Sequence, residues 1–217
     1  MYGSLFELFL EALRETAIMI AVSSGLALLI GLPIGLVLAA TGPGGVIDAR
    51  WINLPLAAVV NAIRSTPFII LLVALIPLTR LIVGTSIGLG AAIVPLTIAA
   101  APFFARLAEI SVREVPGGLV EAARAMGATR AQILWRVLLP EALPSLIGGF
   151  TVTVVSMINA SAMAGAVGAG GLGDLAMRFG YQRFDNTVMA EVVIILIAIV
   201  TLVQVLGDAV ARGFDHR

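Results

Sequence analysis

Glu121-Ala-Ala-Arg-Ala-Met-Gly127-Ala-Thr129-Arg-Ala-Gln132-Ile-Leu-Trp-Arg-Val-Leu-Leu-Pro140 is a polar interruption in a chain that is otherwise mostly apolar. Its spacing predicts two short helices. The first covers 118–126, is rich in Ala, and is stopped at Gly127, a residue free to take the left-handed conformation that ends a helix. Thr129 then caps a second helix over 131–139, and Gln132 stands three residues later to complete a capping box. Ile133, Leu134, Val137 and Leu138 give that helix one apolar face. Pro140 and Pro144 are expected to end it and turn the chain into the next apolar run.

Outward from this stretch, lipid is the expected solvent. Of 217 residues 60% are hydrophobic and 12% charged, where a soluble domain carries about 25% charged residues. Crossing the hydrocarbon core takes about 20 apolar residues, and five segments qualify: 16–40, 57–78, 89–107, 145–167 and 187–210. Pro95 and Pro102 interrupt the third, which membrane helices tolerate where neighbours satisfy the freed carbonyls. No segment alternates as a barrel strand does. The expected fold is therefore all-α, one transmembrane domain over 1–217, with 108–144 as its longest connection.

Five spans put the termini on opposite sides. With 108–144 in the cytoplasm, Arg50, Arg64, Arg106, Arg113, Arg124, Arg130, Arg136, Arg212 and Arg217 fall on or near the inner face. Arg14, Arg80, Arg178 and Arg183 fall outside. That imbalance follows the positive-inside rule and puts the N-terminus outside and the C-terminus inside. Glu7, Glu11, Arg14 and Glu15 precede the first apolar run, unlike the basic start of a cleaved signal.

Several chemistries are excluded. Net charge is zero, which argues for no nucleic-acid partner. There is no cysteine for a disulfide or thiolate site, and the single His216 lies in the polar tail, so no metal site is expected. No ionisable residue falls near the middle of a span, where a proton- or ion-coupled carrier would place one. No buried acid–base pair suggests an enzyme, so no catalytic residue is assigned. No internal repeat is visible, and five spans are few to enclose a pathway, so assembly with a second copy is expected.

Helix logic alone leaves two roles open for the loop. It could rest on the bilayer surface as an amphipathic element, or act as a lever for a soluble partner. In the second role Ala122, Ala123 and Gly127 would let that partner approach and Glu121 would anchor it.

The loop resembles the signature of permeases of ABC importers, carried here on Glu121, Ala122, Ala123, Gly127, Ile133, Leu139 and Pro140. The resemblance implies the type I importer permease fold, with a cytoplasmic coupling helix between spans three and four. That helix seats in a cleft of a separate ATPase, which binds the ATP and Mg; this chain would hold no cofactor of its own.

Four further stretches, 61–72, 76–88, 92–97 and 161–173, resemble the permeases of methionine-uptake systems; the first is similar to amino-acid permeases generally, and 79–88 is more particular to the methionine group. That resemblance implies a homodimer in the bacterial inner membrane, two ATPase subunits, and an extracytoplasmic methionine-binding lipoprotein. L- and D-methionine would be the cargo. A permease for another amino acid or small solute is the alternative.

On the fourth span, Ser156, Asn159 and Met163 fall within about 60° of one another at helical spacing. Ser156, Ala160, Ala164 and Gly168 also form a ladder of small residues suited to close helix contact. This side is expected to face the dimer axis. Met163 is then either an adaptable constriction or ordinary packing, and Asn159 either lines the pathway or bonds another helix. Gly31 and Gly35 mark a close contact in the first span. Arg64 is either a snorkelling anchor or a pathway residue. Gly168-Ala-Gly170-Gly-Leu-Gly173 imitates a dinucleotide fingerprint, but no strand precedes it. A tight external turn, within reach of the binding protein, is the better reading.

Overall fold

The computed structural model describes residues 2–47 and 49–214; the expectations for His216 and Arg217 lie outside them. Among the described residues every regular element is helical. The helices are α1 (Tyr2–Thr41), α2 (Arg50–Arg64), α3 (Phe68–Ala74), α4 (Ile76–Val83), α5 (Leu89–Arg113) and α6 (Gly117–Ala125). They are followed by α7 (Arg130–Ala169), α8 (Gly171–Leu175), which continues as a π-helical stretch over Ala176–Tyr181, and α9 (Asn186–Gly213). Four of them, α1, α5, α7 and α9, are long and apolar enough to cross a membrane, and a fifth span arises if α2 and α3 are joined.

Helix α5 is the centre. Its small residues Ala91, Ala92, Ala100, Ala101, Ala105 and Ala108 are buried, and so are Pro95 and Pro102, which it carries without breaking. Helix α1 lies along it at close range. A Cβ on Gly31 would stand 2.5 Å from the Ala101 carbonyl oxygen, and one on Gly35 would stand 2.7 Å from the Ala108 Cβ. Without a strong hydrophobic drive between helices in lipid, such close backbone approach supplies dispersion contact. Phe104 adds an edge-to-face contact with Phe150 of α7, 5.4 Å between ring centres. Helix α9 is the least enclosed of the long helices, and its side chains face mostly outward.

Three elements depart from the sequence reading. Helix α1 begins at Tyr2 rather than near residue 16, and its 40 residues span about 60 Å, twice the hydrocarbon thickness. The early turns stay ordered because Leu8, Phe9, Ala12 and Leu13 pack against Leu172, Leu175, Val188 and Val192.

The stretch 57–78 is not a straight helix: α2 and α3 meet at 103°. Pro67 has no N–H to continue the ladder and disfavours helical geometry at Thr66. The chain therefore stops at Arg64 and restarts beyond the proline.

The third departure is at Pro140. No turn separates 131–139 from the fourth span; α7 runs on from Arg130 through Pro140 and loses helical geometry only at Val167 and Gly168, near its end. A π-helical stretch over Leu134–Leu138 precedes the proline, and the Leu139 N–H donates to the Leu134 carbonyl. Widening the helix by one residue relieves the clash that a proline ring otherwise makes with the preceding turn.

Candidate coupling face and pathway face

Helix α6 lies between the end of α5 and the start of α7. The chain leaves α5 at Glu114 and enters α6 after Pro116. At the far end Gly127 takes φ 80°, the Gly127 N–H donates to the Arg124 carbonyl, and the Ala128 N–H donates to the Ala123 carbonyl. This is the left-handed stop expected of that glycine. Thr129 and Gln132 then exchange bonds. The Gln132 N–H donates to the Thr129 Oγ1 at 3.3 Å, and the Thr129 N–H donates to the Gln132 Oε1 at 2.8 Å. The cap and stop hold α6 between two rigid helices.

The face that α6 turns outward carries Glu121, Ala122, Arg124 and Gly127, with Met126 81% exposed beside them. Ala123 is the exception among the residues expected to meet a partner. It is buried in one cluster with Val112, Val115, Ile133 and Leu138, so its small side chain seats α6 on its own chain. Sequence spacing put Ala122 and Ala123 together, but neighbours on a helix point about 100° apart.

The fourth span divides in the same way. On one strip of α7, Asn159 and Met163 are exposed and Ser156 is half-buried among the described residues. Met163 is 44% exposed. Ala160 and Ala164 do not share that strip. They are buried with Met157 against Met19, Ala92, Leu96 and Ala100. Ala160 and Ala164 of the small-residue ladder therefore pack inward on α1 and α5, while Asn159 and Met163 stay open to a neighbour. An amide on a bare membrane helix is costly to leave in lipid, and Asn159 places one on this strip. Leu72 of α3 packs against the same buried cluster, which seats α3 on α5 and α7.

The glycine turn that ends α7 is held by α1. The Gly171 N–H donates to the Glu15 Oε2 at 2.6 Å and the Leu172 N–H to the Thr16 Oγ1 at 2.9 Å. Gly168, Gly170 and Gly171 all take positive φ, which accounts for the glycines without a nucleotide. Gly88, at the end of the 76–88 stretch, donates its N–H to the Gly168 carbonyl at 2.9 Å. Nothing in the spacing of Glu15 and Thr16 pointed to these partners.

The chain thus builds a helical unit of four to five candidate spans, with a small helix between the end of one and the start of the next. The family model described as the binding-protein-dependent transport system inner membrane component matches residues 31–217. The chain belongs to this family. As an inner membrane component it is a multi-pass transport subunit and performs no catalysis itself.

Among its relatives, the probable D-methionine transport system permease protein MetI of Vibrio cholerae is 51% identical, over 97% of this chain and 94% of that protein. The methionine import system permease protein MetP of Bacillus subtilis is 44% identical, over 82% and 80%. A chain solved in inward-facing conformations of the MetNI methionine ABC transporter is 49% identical and superposes with a TM-score of 0.96, covering 100% of both chains. An amino acid ABC transporter chain at 22% identity shares the fold, with a TM-score of 0.75 over 98% of this chain and 95% of that one.

Proposed function

We propose that this inner membrane component forms, as a homodimer, the translocation pathway for L- and D-methionine in an ATP-driven importer. In this reading α6 is the coupling helix. It seats in a cleft of a separate ATPase through Glu121, Ala122 and Gly127, with Met126 adding apolar contact. Two ATPase subunits serve two copies of the chain, and a methionine-binding lipoprotein delivers cargo from outside. The N-terminus lies outside and the C-terminus in the cytoplasm, as the arginine distribution favours.

The mechanics follow from how α6 is mounted. A short helix joined to α5 by three residues and packed through Ala123 on Val112, Ile133 and Leu138 would move with α5 and α7. Force on its outer face would be passed to both, and the Ser156–Asn159–Met163 strip rides on α7. Met163 would then open or narrow the path as two copies of α7 part or close. Methionine is a zwitterion with an apolar side chain, so its path needs no ionisable residue at mid-span. The full-length likeness to a methionine importer's permease, at 49% identity, is the observation that carries the reading.

The test is co-purification and transport. Glu121→Arg is expected to reduce ATPase association and abolish uptake of labelled methionine in proteoliposomes. Intact assembly and uptake in that variant would rule out coupling at α6. Competition by unlabelled amino acids decides the cargo; displacement by an unrelated amino acid at equal concentration would favour another substrate.

A further inference from the structure

We propose that Asn53, Thr41, Arg113 and Glu109 form a polar relay that ties the bent helix α2 to the motion of α6. These are positioning residues for coupling. The proposal rests on α6 being the coupling helix.

Glu109 is 2% exposed, and its carboxylate is shared between Arg106 at 2.7 Å and Arg113 at 2.8 Å. A carboxylate so buried is tolerated only when paired, and such a pair often adds little net stability over apolar side chains. Its position suggests what it does instead. Arg113 is the last residue of α5, a three-residue turn before α6. Its guanidinium lies against Gly42, the first residue after α1, so closely that a Cβ there would overlap it. Glu109 thus aims Arg113 at the α1–α2 turn.

The next link crosses from α1 to α2. Asn53 is buried, and its Nδ2 donates to the Leu38 carbonyl at 2.9 Å and to the Thr41 Oγ1 at 3.2 Å. The Leu38 carbonyl also accepts from the Gly42 N–H at 3.0 Å. The carbonyls that end a helix have no partner within it, so α2 is anchored through the last turn of α1. Apolar contacts would hold these elements together but leave them free to slide. The bonds from Asn53 fix α2 on the end of α1, and the Arg113 guanidinium, held by Glu109, fits that end against α5 at Gly42. A push on α6 would then move the ends of α5, α1 and α2 as one body, and α2 leads directly to the bend at Pro67.

The experiment uses the complete importer in proteoliposomes. Asn53→Ala and Glu109→Gln are expected to keep ATP hydrolysis near the wild-type rate while methionine taken up per ATP falls about five- to tenfold, within the usual range of coupling between sites. Thr41→Ser retains the hydroxyl acceptor and should behave as wild type. Because the chain has no cysteine, single spin labels can be placed at Pro43 on the α1–α2 turn and at Leu119 on α6. Distances between the two copies at both positions should change together when ATP is added. In Glu109→Gln only the Leu119 distance should change.

Parallel loss of hydrolysis and uptake in both variants would mean a merely structural role and overturn the relay. An unchanged uptake-to-ATP ratio would overturn it as well, with the coupling assignment left standing if Glu121→Arg still abolishes uptake. A silent Glu121→Arg would remove the coupling assignment, and the relay with it. Should Glu109→Gln fail to assemble, Gly42→Ala tests the same link by pushing Arg113 off the turn.

Discussion

The carboxylate of Glu15 accepts a hydrogen bond of 2.6 Å from the backbone N–H of Gly171, 156 positions later in the chain. It joins the first span to the glycine turn that ends the fourth, and Thr16 repeats the contact one residue along. Glu15→Ala should therefore lower the thermal stability of the purified subunit. A hydrogen bond to a charged group contributes about 1.5–3 kcal/mol, and partial exposure puts this one at the low end. Gly171→Ala should cost more. Its φ of 76° disfavours a side chain, and the new Cβ would stand 2.6 Å from the Thr16 Oγ1. Thermal unfolding of the two variants side by side checks the order; an unchanged midpoint in Gly171→Ala would contradict it.

Contact between α1 and α5 makes the second prediction. Gly31→Leu and Gly35→Val should each prevent α1 from seating on the α5 backbone, with losses of at least about 3 kcal/mol, the upper end for overpacked cores. Gly148 is a fitting control, since a Cβ there meets nothing within 4 Å. Gly148→Ala should leave the amount of folded protein recovered in detergent unchanged, whereas the first two variants should reduce it sharply.

The capping box makes the third prediction local. Thr129→Ala removes the acceptor for the Gln132 N–H and should cost about 1 kcal/mol of helix stability. Faster amide hydrogen exchange is expected at the start of α7, near residues 131–133, with the membrane-embedded part of α7 unaffected. Uniform change along α7 would show that this end is not held by its cap.

How much of this was legible in the sequence depended on the range of the interaction. Gly127, Thr129 and Gln132 act on neighbours a few residues away, so their roles could be read from spacing alone. The long apolar helices were legible because lipid demands length. Pro67 and Pro140 show the limit. Both are helix breakers by chemistry, yet the chain bends at one and runs through the other, because a π-helical stretch ahead of Pro140 absorbs its ring. The division of the fourth span was hidden as well. Ala160 and Ser156 look alike on a helical wheel, and only the position of α1 and α5 decides that Ala160 is covered. Glu15 read as a polar residue ahead of a span, because its partner lies at the other end of the chain.

Met163 and Asn159 carry the last prediction, which separates pathway from lipid. If their strip of α7 faces a second copy across the path, Met163→Gly should remove an apolar constriction. Proteoliposomes would then leak labelled methionine without ATP, and basal hydrolysis would rise while net uptake fell. Asn159→Leu should act oppositely on affinity for lipid and for the path. On a lipid-facing strip, replacing an amide by Leu is favourable and would raise stability with transport unchanged. On a pathway strip it would remove a polar group from the route and reduce uptake by about tenfold, the effect of one lost hydrogen bond of about 1.4 kcal/mol. Measuring stability and uptake on the same preparation distinguishes the two. Greater stability with full uptake, together with no leak in Met163→Gly, would put this strip against lipid and remove Met163 as a gate.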